Sequence, residues 1–221
     1  MQKFRLIDLY AGIGGIRLGF DQALGDSARF VFSNEINKNS CVTYEANFHE
    51  NPSGDITKIS SSDIPDFDIL LAGFPCQAFS IAGMQNGFAD IRGTHFFEIA
   101  KIIRDKKPLA FMLENVKHFR NHDKGKTFST VKKTIEDDLG YTFYYKTLNA
   151  ADFGLAQNRQ RVFMVGFREP ISFKFPKPKA SGKCVRDILE NDVEGHFFLS
   201  QRYLDTLKKH RKRHEEKNHG F

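Results

Sequence analysis

Short apolar runs alternate with amphipathic stretches from the first residues to about residue 170, and this rhythm restricts the chain more than any other feature. A short continuous apolar run reads as a strand covered on both faces. An amphipathic stretch between two such runs supplies the crossover helix that a parallel pair requires. The pattern predicts an α/β fold, a mostly parallel sheet with helices on both faces. Strands are expected over 4–9, 30–33, 69–72, 110–113, 143–148 and 161–167, and helices over 15–24, 38–47, 95–105, 126–138 and, briefly, 185–190. Two stretches break the rhythm: the glycine-punctuated 73–94, which reads as a functional loop, and the Pro/Lys-rich 173–183, which reads as a domain-edge connector. The expected division is therefore a main domain over 1–172 and a second part over 173–221.

At 221 residues, 40% of them hydrophobic, the chain is long enough for one well-buried core. No stretch approaches the apolar length of a membrane span, and the charged start MQKFRLIDLY is not a signal peptide, so a cytoplasmic protein without a membrane partner is expected. Cys41, Cys76 and Cys184 are odd in number and lack metal-ligand spacing, which argues against a disulfide framework and against a bound metal. Reduced thiols are expected, one of them reactive. The net charge of +6 mildly favours a polyanionic partner, and residues 201–221 hold seven Lys/Arg against three acids. That segment reads either as a phosphate contact or as a solvated basic helix.

DLYAGIGG, residues 8–15, runs from an apolar strand through glycines into an amphipathic helix, the arrangement of a nucleotide-type cofactor site. Gly12, Gly14 and Gly15 permit close backbone approach, while Arg17 stands where a third glycine of GxGxxG would be, which disfavours a pyrophosphate dinucleotide. The same residues would serve a tight strand–helix turn. About twenty residues on, Glu35 occupies the place of an acid that hydrogen-bonds ribose hydroxyls. Asp55 either accepts from an adenine amino group or forms a turn.

GFPCQAFS puts Cys76 in a turn just past an apolar strand, where α/β active sites gather, although a lone cysteine is commonly a small buried hydrophobe. In FMLENV, Glu114 ends another strand at the same edge, as a proton donor with a raised pKa or as a helix cap. QNRQR supplies Arg159 and Arg161, two apart and so on one face of a strand. Guanidinium groups beside a thiol and a carboxyl suit an anionic or carbonyl-bearing substrate; a pair of surface arginines is the alternative.

DLYAGIGG, NEIN, GDI, GFPCQAFS, RGTHFFEIAK, ENV and QNRQR stand in the order and approximate spacing of the blocks of the bacterial DNA (cytosine-C5) methyltransferases of restriction–modification systems, and over about 4–190 the chain resembles that family. The resemblance implies a Rossmann-like S-adenosylmethionine-dependent methyltransferase domain. It implies Cys76 as the nucleophile on C6 of a flipped-out cytosine, Glu114 at N3 and the exocyclic amine, and Arg161 with Arg159 at O2. It also implies an S-adenosylmethionine pocket from Tyr10, Gly12, Gly14, Gly15, Glu35, Ile36, Asp55, Ile56 and Pro75, and substrate contacts from Gln77, Ser80 and Asn115. Tyr10 stands where the family usually has Phe, and Ile36 where many members carry an aromatic. Residues 81–93 correspond to the family's mobile loop.

The family's target-recognition region, Gly-Asn block and final helix have no counterpart in the 221 residues, so a truncated chain or one subunit of a split enzyme is expected. The implied partners are double-stranded DNA and a second polypeptide supplying the recognition region. The competing readings are an inactive remnant that binds cofactor or DNA, and a tRNA cytosine-C5 methyltransferase.

Overall fold

The computed structural model describes residues 3–75, 95–179 and 182–217. Among the described residues six strands form one sheet: β1 (Phe4–Leu9), β2 (Ala28–Asn34), β3 (Ile69–Gly73), β4 (Ala110–Val116), β5 (Thr142–Asn149) and β6 (Gln160–Phe167). Their spatial order is β2-β1-β3-β4-β6-β5. The pairings β1–β2, β1–β3 and β3–β4 are parallel, whereas β6 runs antiparallel to both β4 and β5. The expected strands are all present, each extended by at most a few residues except β1, whose bounds are as expected.

Helices α1 (Gly15–Leu24), α2 (Lys38–Phe48), α3 (His95–Lys106) and α4 (Lys126–Lys133) pack on the sheet, and α5 (Gln201–Glu215) lies further along the chain. The side chain of Asn37 caps α2 by accepting from the Asn39 and Ser40 amides. The helix expected over 126–138 is α-helical only to Lys133 and continues as a π-turn, Thr134–Asp138. The short helix expected near 185 is a 3-10 turn, Val185–Ile188.

Alternation along the strands sends successive side chains to opposite faces. Ile7 and Leu9 of β1, Leu70 and Ala72 of β3, Phe111 and Leu113 of β4, and Val162 and Met164 of β6 meet Phe96, Ile99 and Ile103 of α3 and Phe128 and Val131 of α4 in the larger core. Leu6, Phe30 and Leu71 face the other way, against Ile16, Phe20 and Leu24 of α1. Helices thus cover both faces.

The chain separates into two compact units, 1–181 and 182–221. The Pro/Lys-rich stretch belongs with the first: Phe173 packs on Tyr144, Phe167 and Phe175, and the Lys179 amide donates to the Asp152 carbonyl. In the second unit the described residues carry an exposed apolar run, Phe197, Phe198 and Leu199, ahead of α5.

Asp8 alternates with the apolar residues of β1, is fully buried, and its carboxylate oxygens have no hydrogen-bond partner among the described residues. Burial outweighs the attraction of Arg17, Glu35 and Asp21 add repulsion, and the carboxyl is pushed up to about 7. A carboxyl that ionises less readily in the folded state stabilises the fold fully below its unfolded pKa. That stability is lost as pH rises through the folded value. Between about pH 4 and about pH 8 this group is expected to remove up to about 4 kcal/mol of unfolding free energy. Asp8→Asn is expected to flatten that slope. Denaturant titrations of both proteins across the range provide the check, and parallel pH profiles would refute it.

Candidate active site

The first half of the site is the turn between β1 and α1. Tyr10 (φ 53), Gly12 (φ 56) and Gly14 (φ 88) all take left-handed backbone conformations, so the chain reverses sharply before α1 begins. Gly14 is required twice over, because its φ excludes most side chains and a Cβ there would overlap the ring of Phe48. At Gly12 and Gly15 a Cβ would meet nothing within 4 Å, so the surface above them is open to a ligand.

Glu35, directly after β2, closes this turn. Its Oε2 accepts from the Gly12 amide at 2.7 Å and its Oε1 from the Asn37 amide at 2.7 Å. Each oxygen keeps a lone pair for a further donor. Ile13 and Ile36 are among the exposed large apolar residues. Asp55 is engaged in its own turn: Oδ1 accepts from the Thr57 amide at 3.1 Å and hydroxyl at 2.7 Å, which holds its carboxyl below the usual range. The side chain of Ile56 lies in the larger core, leaving only its backbone available to a cofactor. The Tyr10 hydroxyl meets Nδ1 of His95 at 3.1 Å, the two rings packing edge to face, so the turn is tied to the first residue of α3.

Sequence reasoning noted Arg17 only as a missing glycine, and its role is larger. The guanidinium is nearly buried, donates to both carboxylate oxygens of Glu50 and to the Tyr44 hydroxyl, and lies over the rings of Phe30, Tyr44 and Phe48. Tyr44 in turn meets the Ser33 hydroxyl at 2.7 Å. No local motif announces this cluster, because its members span residues 17–50.

The second half stands at the carboxyl edge of β3 and β4. Gly73 pairs with Glu114 across the sheet, and a Cβ on Gly73 would lie 3.7 Å from the Tyr10 carbonyl and 3.8 Å from Glu114 Oε2, which brings the two halves together. Because β6 is antiparallel to β4, the beginning of β6 reaches this same edge, with Arg161 opposite Val116. Glu114, two residues from Val116, shares that face. Its Oε1 accepts from Arg161 Nε at 2.9 Å and lies 3.9 Å from Arg159 Nη2. Burial pushes the Glu114 carboxyl up, and the two arginines oppose that shift without cancelling it. Asn149, which sequence reasoning passed over, accepts from the Arg159 amide at 2.9 Å; an Asn at a strand end followed by a short turn is its only local signal.

Asn115, expected at the substrate, is buried. Its Nδ2 donates to the Phe74 carbonyl at 3.0 Å and its Oδ1 accepts from the Val116 amide at 2.8 Å. The ring of Phe74 packs on Phe96 and Phe119, so the chain leading to the exposed Pro75 is held from both ends. Cys76, Gln77, Ser80 and the loop 81–93 lie outside the described residues. Of the other cysteines, Cys41 is buried, with its thiol pushed up mainly by burial, and Cys184 is exposed. Among the described residues no group of three or more His, Cys, Asp or Glu has metal-binding geometry, and no helix is long and apolar enough to cross a membrane.

The model of the C-5 cytosine-specific DNA methylase family matches residues 4–221. The type II methyltransferase M.HaeII of Haemophilus aegyptius is 53% identical over 96% of this chain and 64% of its own length. M1.ScrFI of Lactococcus lactis subsp. cremoris is 49% identical over 99% of this chain and 57% of its own. The chain thus spans 57–64% of the length of these curated relatives. Among solved structures, Dnmt2 of S. pombe superimposes with a TM-score of 0.71 at 20% identity, covering 92% of this chain and 66% of that one, a likeness of fold. With a family model matched along nearly its whole length and relatives about half identical, the chain belongs to the C-5 cytosine-specific DNA methylase family.

Proposed function

We propose that this chain carries the catalytic part of a DNA cytosine-C5 methyltransferase of a restriction–modification system, which transfers a methyl group from S-adenosylmethionine to C5 of a cytosine in duplex DNA. One juxtaposition supports the reading above all. Glu114, held by Arg161 at 2.9 Å, stands one strand from the open glycine turn, with Gly73 between them and Phe74 and Pro75, which precede Cys76 in the sequence, leaving the end of β3.

The residues of the turn fit the cofactor. Space is open over Gly12 and Gly15, Glu35 keeps acceptor capacity for ribose hydroxyls, and Ile13 and Ile36 are exposed apolar side chains suited to a flat base. S-adenosylmethionine, when bound, supplies an electrophilic sulfonium methyl. The thiolate of Cys76 adds to C6 of a cytosine swung out of the duplex, since a stacked base is out of its reach. Glu114, whose carboxyl holds its proton more firmly than an exposed one, donates to N3, so the electron pair of the C5–C6 bond becomes available at C5. Arg161 and Arg159 hold O2 and keep Glu114 in place. After C5 has taken the methyl, water accepts the C5 proton, the C5–C6 double bond re-forms as the C6–S bond breaks and the thiolate leaves, and N3 returns its proton to Glu114.

Asn115 acts through the backbone: by gripping the Phe74 carbonyl it positions the strand end that carries Cys76. Base-specific contacts are assigned to the part of the relatives not matched here, supplied in cis or by a companion polypeptide, with 182–221 as the start of that region.

Duplex DNA with 5-fluorocytosine at the target tests the nucleophile, because fluorine at C5 cannot leave as a proton. Supplied with the recognition part and cofactor, the chain is expected to form a covalent adduct that Cys76→Ser abolishes and Cys41→Ser and Cys184→Ser retain. The reverse pattern would remove Cys76 from the reaction. Glu114→Gln keeps shape but holds no titratable proton, and adduct formation is expected to slow about 100-fold or more; a rate within a few-fold of the parent would argue against proton donation. Glu35→Ala is expected to weaken cofactor binding by about 1 to 3 kcal/mol. Calorimetry measures this directly, and unchanged affinity would take Glu35 out of the pocket.

A further inference from the structure

We propose that Lys117–Gly125, together with Lys126 at the head of α4, forms a contact surface for the phosphate backbone of duplex DNA. The identity of the polyanion rests on the reading above, and the surface itself rests on three observations.

The first is position. β4 passes from Glu114 through Val116 directly into this segment, and the segment packs against β6, whose first residues hold Glu114. A base presented to Glu114 brings its flanking phosphates to this edge of the sheet.

The second is charge. Lys117, Arg120, Lys124 and Lys126 are exposed, with Asp123 the single acid among them, and His118 and His122 lie between Lys117 and Lys124. Among the described residues none of these four cations has a carboxylate within 4.0 Å, whereas Arg159 and Arg161 share Glu114, Lys106 has Asp66 and Lys132 has Glu136. Lys126 also heads a helix whose first turn has no acid, a place where the helix dipole disfavours a cation. Neither ion pairing nor helix electrostatics accounts for Lys117, Lys124 and Lys126, and a polyanion does.

The third is rigidity. Asp123 (φ 47) and Lys124 (φ 55) hold left-handed conformations ahead of Gly125 (φ 86), which persist only where surrounding structure imposes them. That structure is on view: Phe119 is fully buried, Nδ1 of His122 meets the hydroxyl of the buried Thr127 at 2.7 Å, and Arg120 lies over the rings of Phe128 and Tyr145 at 5.8 and 5.2 Å. The cations are thus displayed on a preorganised backbone. The basic helix α5 contrasts with this, since Lys208 and Arg211 are already opposite Asp205 and Glu215.

Fluorescence anisotropy of the full chain with a labelled duplex, titrated with salt, tests the surface. Replacing Lys117, Lys124 and Lys126 together by Gln is expected to lower the slope of log affinity against log salt by about 3, with about tenfold weaker binding per charge near 50 mM salt. The loss should be the same on an unrelated duplex, because phosphate contacts carry no sequence information. Cofactor affinity by calorimetry should be unchanged, showing that the variant is folded, and the triple Lys→Arg variant should keep the parent slope. An unchanged slope in the Gln variant, a parent chain without salt-dependent binding, or a loss confined to one sequence would overturn the proposal. A matching loss from Lys209→Gln with Arg213→Gln, and none from the loop, would move the contact to α5. Adduct formation through Cys76 decides the methyl-transfer reading separately: if it fails while the slope effect holds, the surface stands and that reading falls.

Discussion

The guanidinium of Arg17 sits among three aromatic rings and is clasped by Glu50, and the shape of the glycine turn depends on it. One charged group ties α1, which carries it, to the Tyr44 hydroxyl and Phe48 of α2 and to Glu50 in the chain beyond α2. Phe48, so placed, lies where a Cβ on Gly14 would have to go, and the turn is therefore fixed from below by packing while Glu35 fixes it from above through the Gly12 amide. The Arg17 side chain is 10% exposed and that of Glu50 43%, so solvent screens the carboxylate while the guanidinium, largely out of water, depends on it for compensation. The neighbouring Asp8, buried without a hydrogen-bond partner, is the counterpart: there burial prevails over the attraction of Arg17, and the carboxyl prefers its proton.

The same contest is set differently at Glu114. Two arginines reach its Oε1, and the carboxyl is partly open, with its side chain 18% exposed. Burial still raises its pKa, but Arg161 and Arg159 restrain the shift. The ion pair to Arg161 keeps the carboxyl in one orientation. Burial thus raises the proton affinity of the carboxyl, and the arginines that orient it also limit the rise.

The chain leaving β3 toward Pro75 is held by contacts of two kinds. Phe74 is locked by ring packing against Phe96 and Phe119, and its carbonyl is taken by Asn115. Asn115 belongs to the same short segment as Glu114, so the end of β3 is tied to the part of β4 that carries the carboxyl. Phe119, packed on Phe74, extends these contacts into the loop of exposed cations that follows β4, which links Glu114 to the surface proposed for the phosphates.

The sequence by itself determined the α/β class, the places of the strands and the first four helices, and the residue types available to the site. Hydrophobic periodicity is local and survives any arrangement of the elements, which is why β1 and α1 begin and end where the pattern says. Glu35, Glu114, Arg159 and Arg161 were legible as charged residues at strand ends for the same reason. Periodicity carries no strand direction, however, and an apolar strand reads alike in a parallel or an antiparallel place. Only the reversal of β6 brings Arg159 and Arg161, at the start of their strand, to the edge where Glu114 ends its own; in a parallel place they would stand at the opposite edge. Burial was equally invisible along the chain. Asn115 reads as a polar residue beside Glu114, and Ile56 as a neighbour of Asp55, yet both side chains turn inward because packing around Phe74 and within the larger core decides which face each presents. The Arg17 cluster, assembled from residues up to 33 positions apart, exists only once the fold has closed, since no short-range pattern couples a guanidinium to partners that distant.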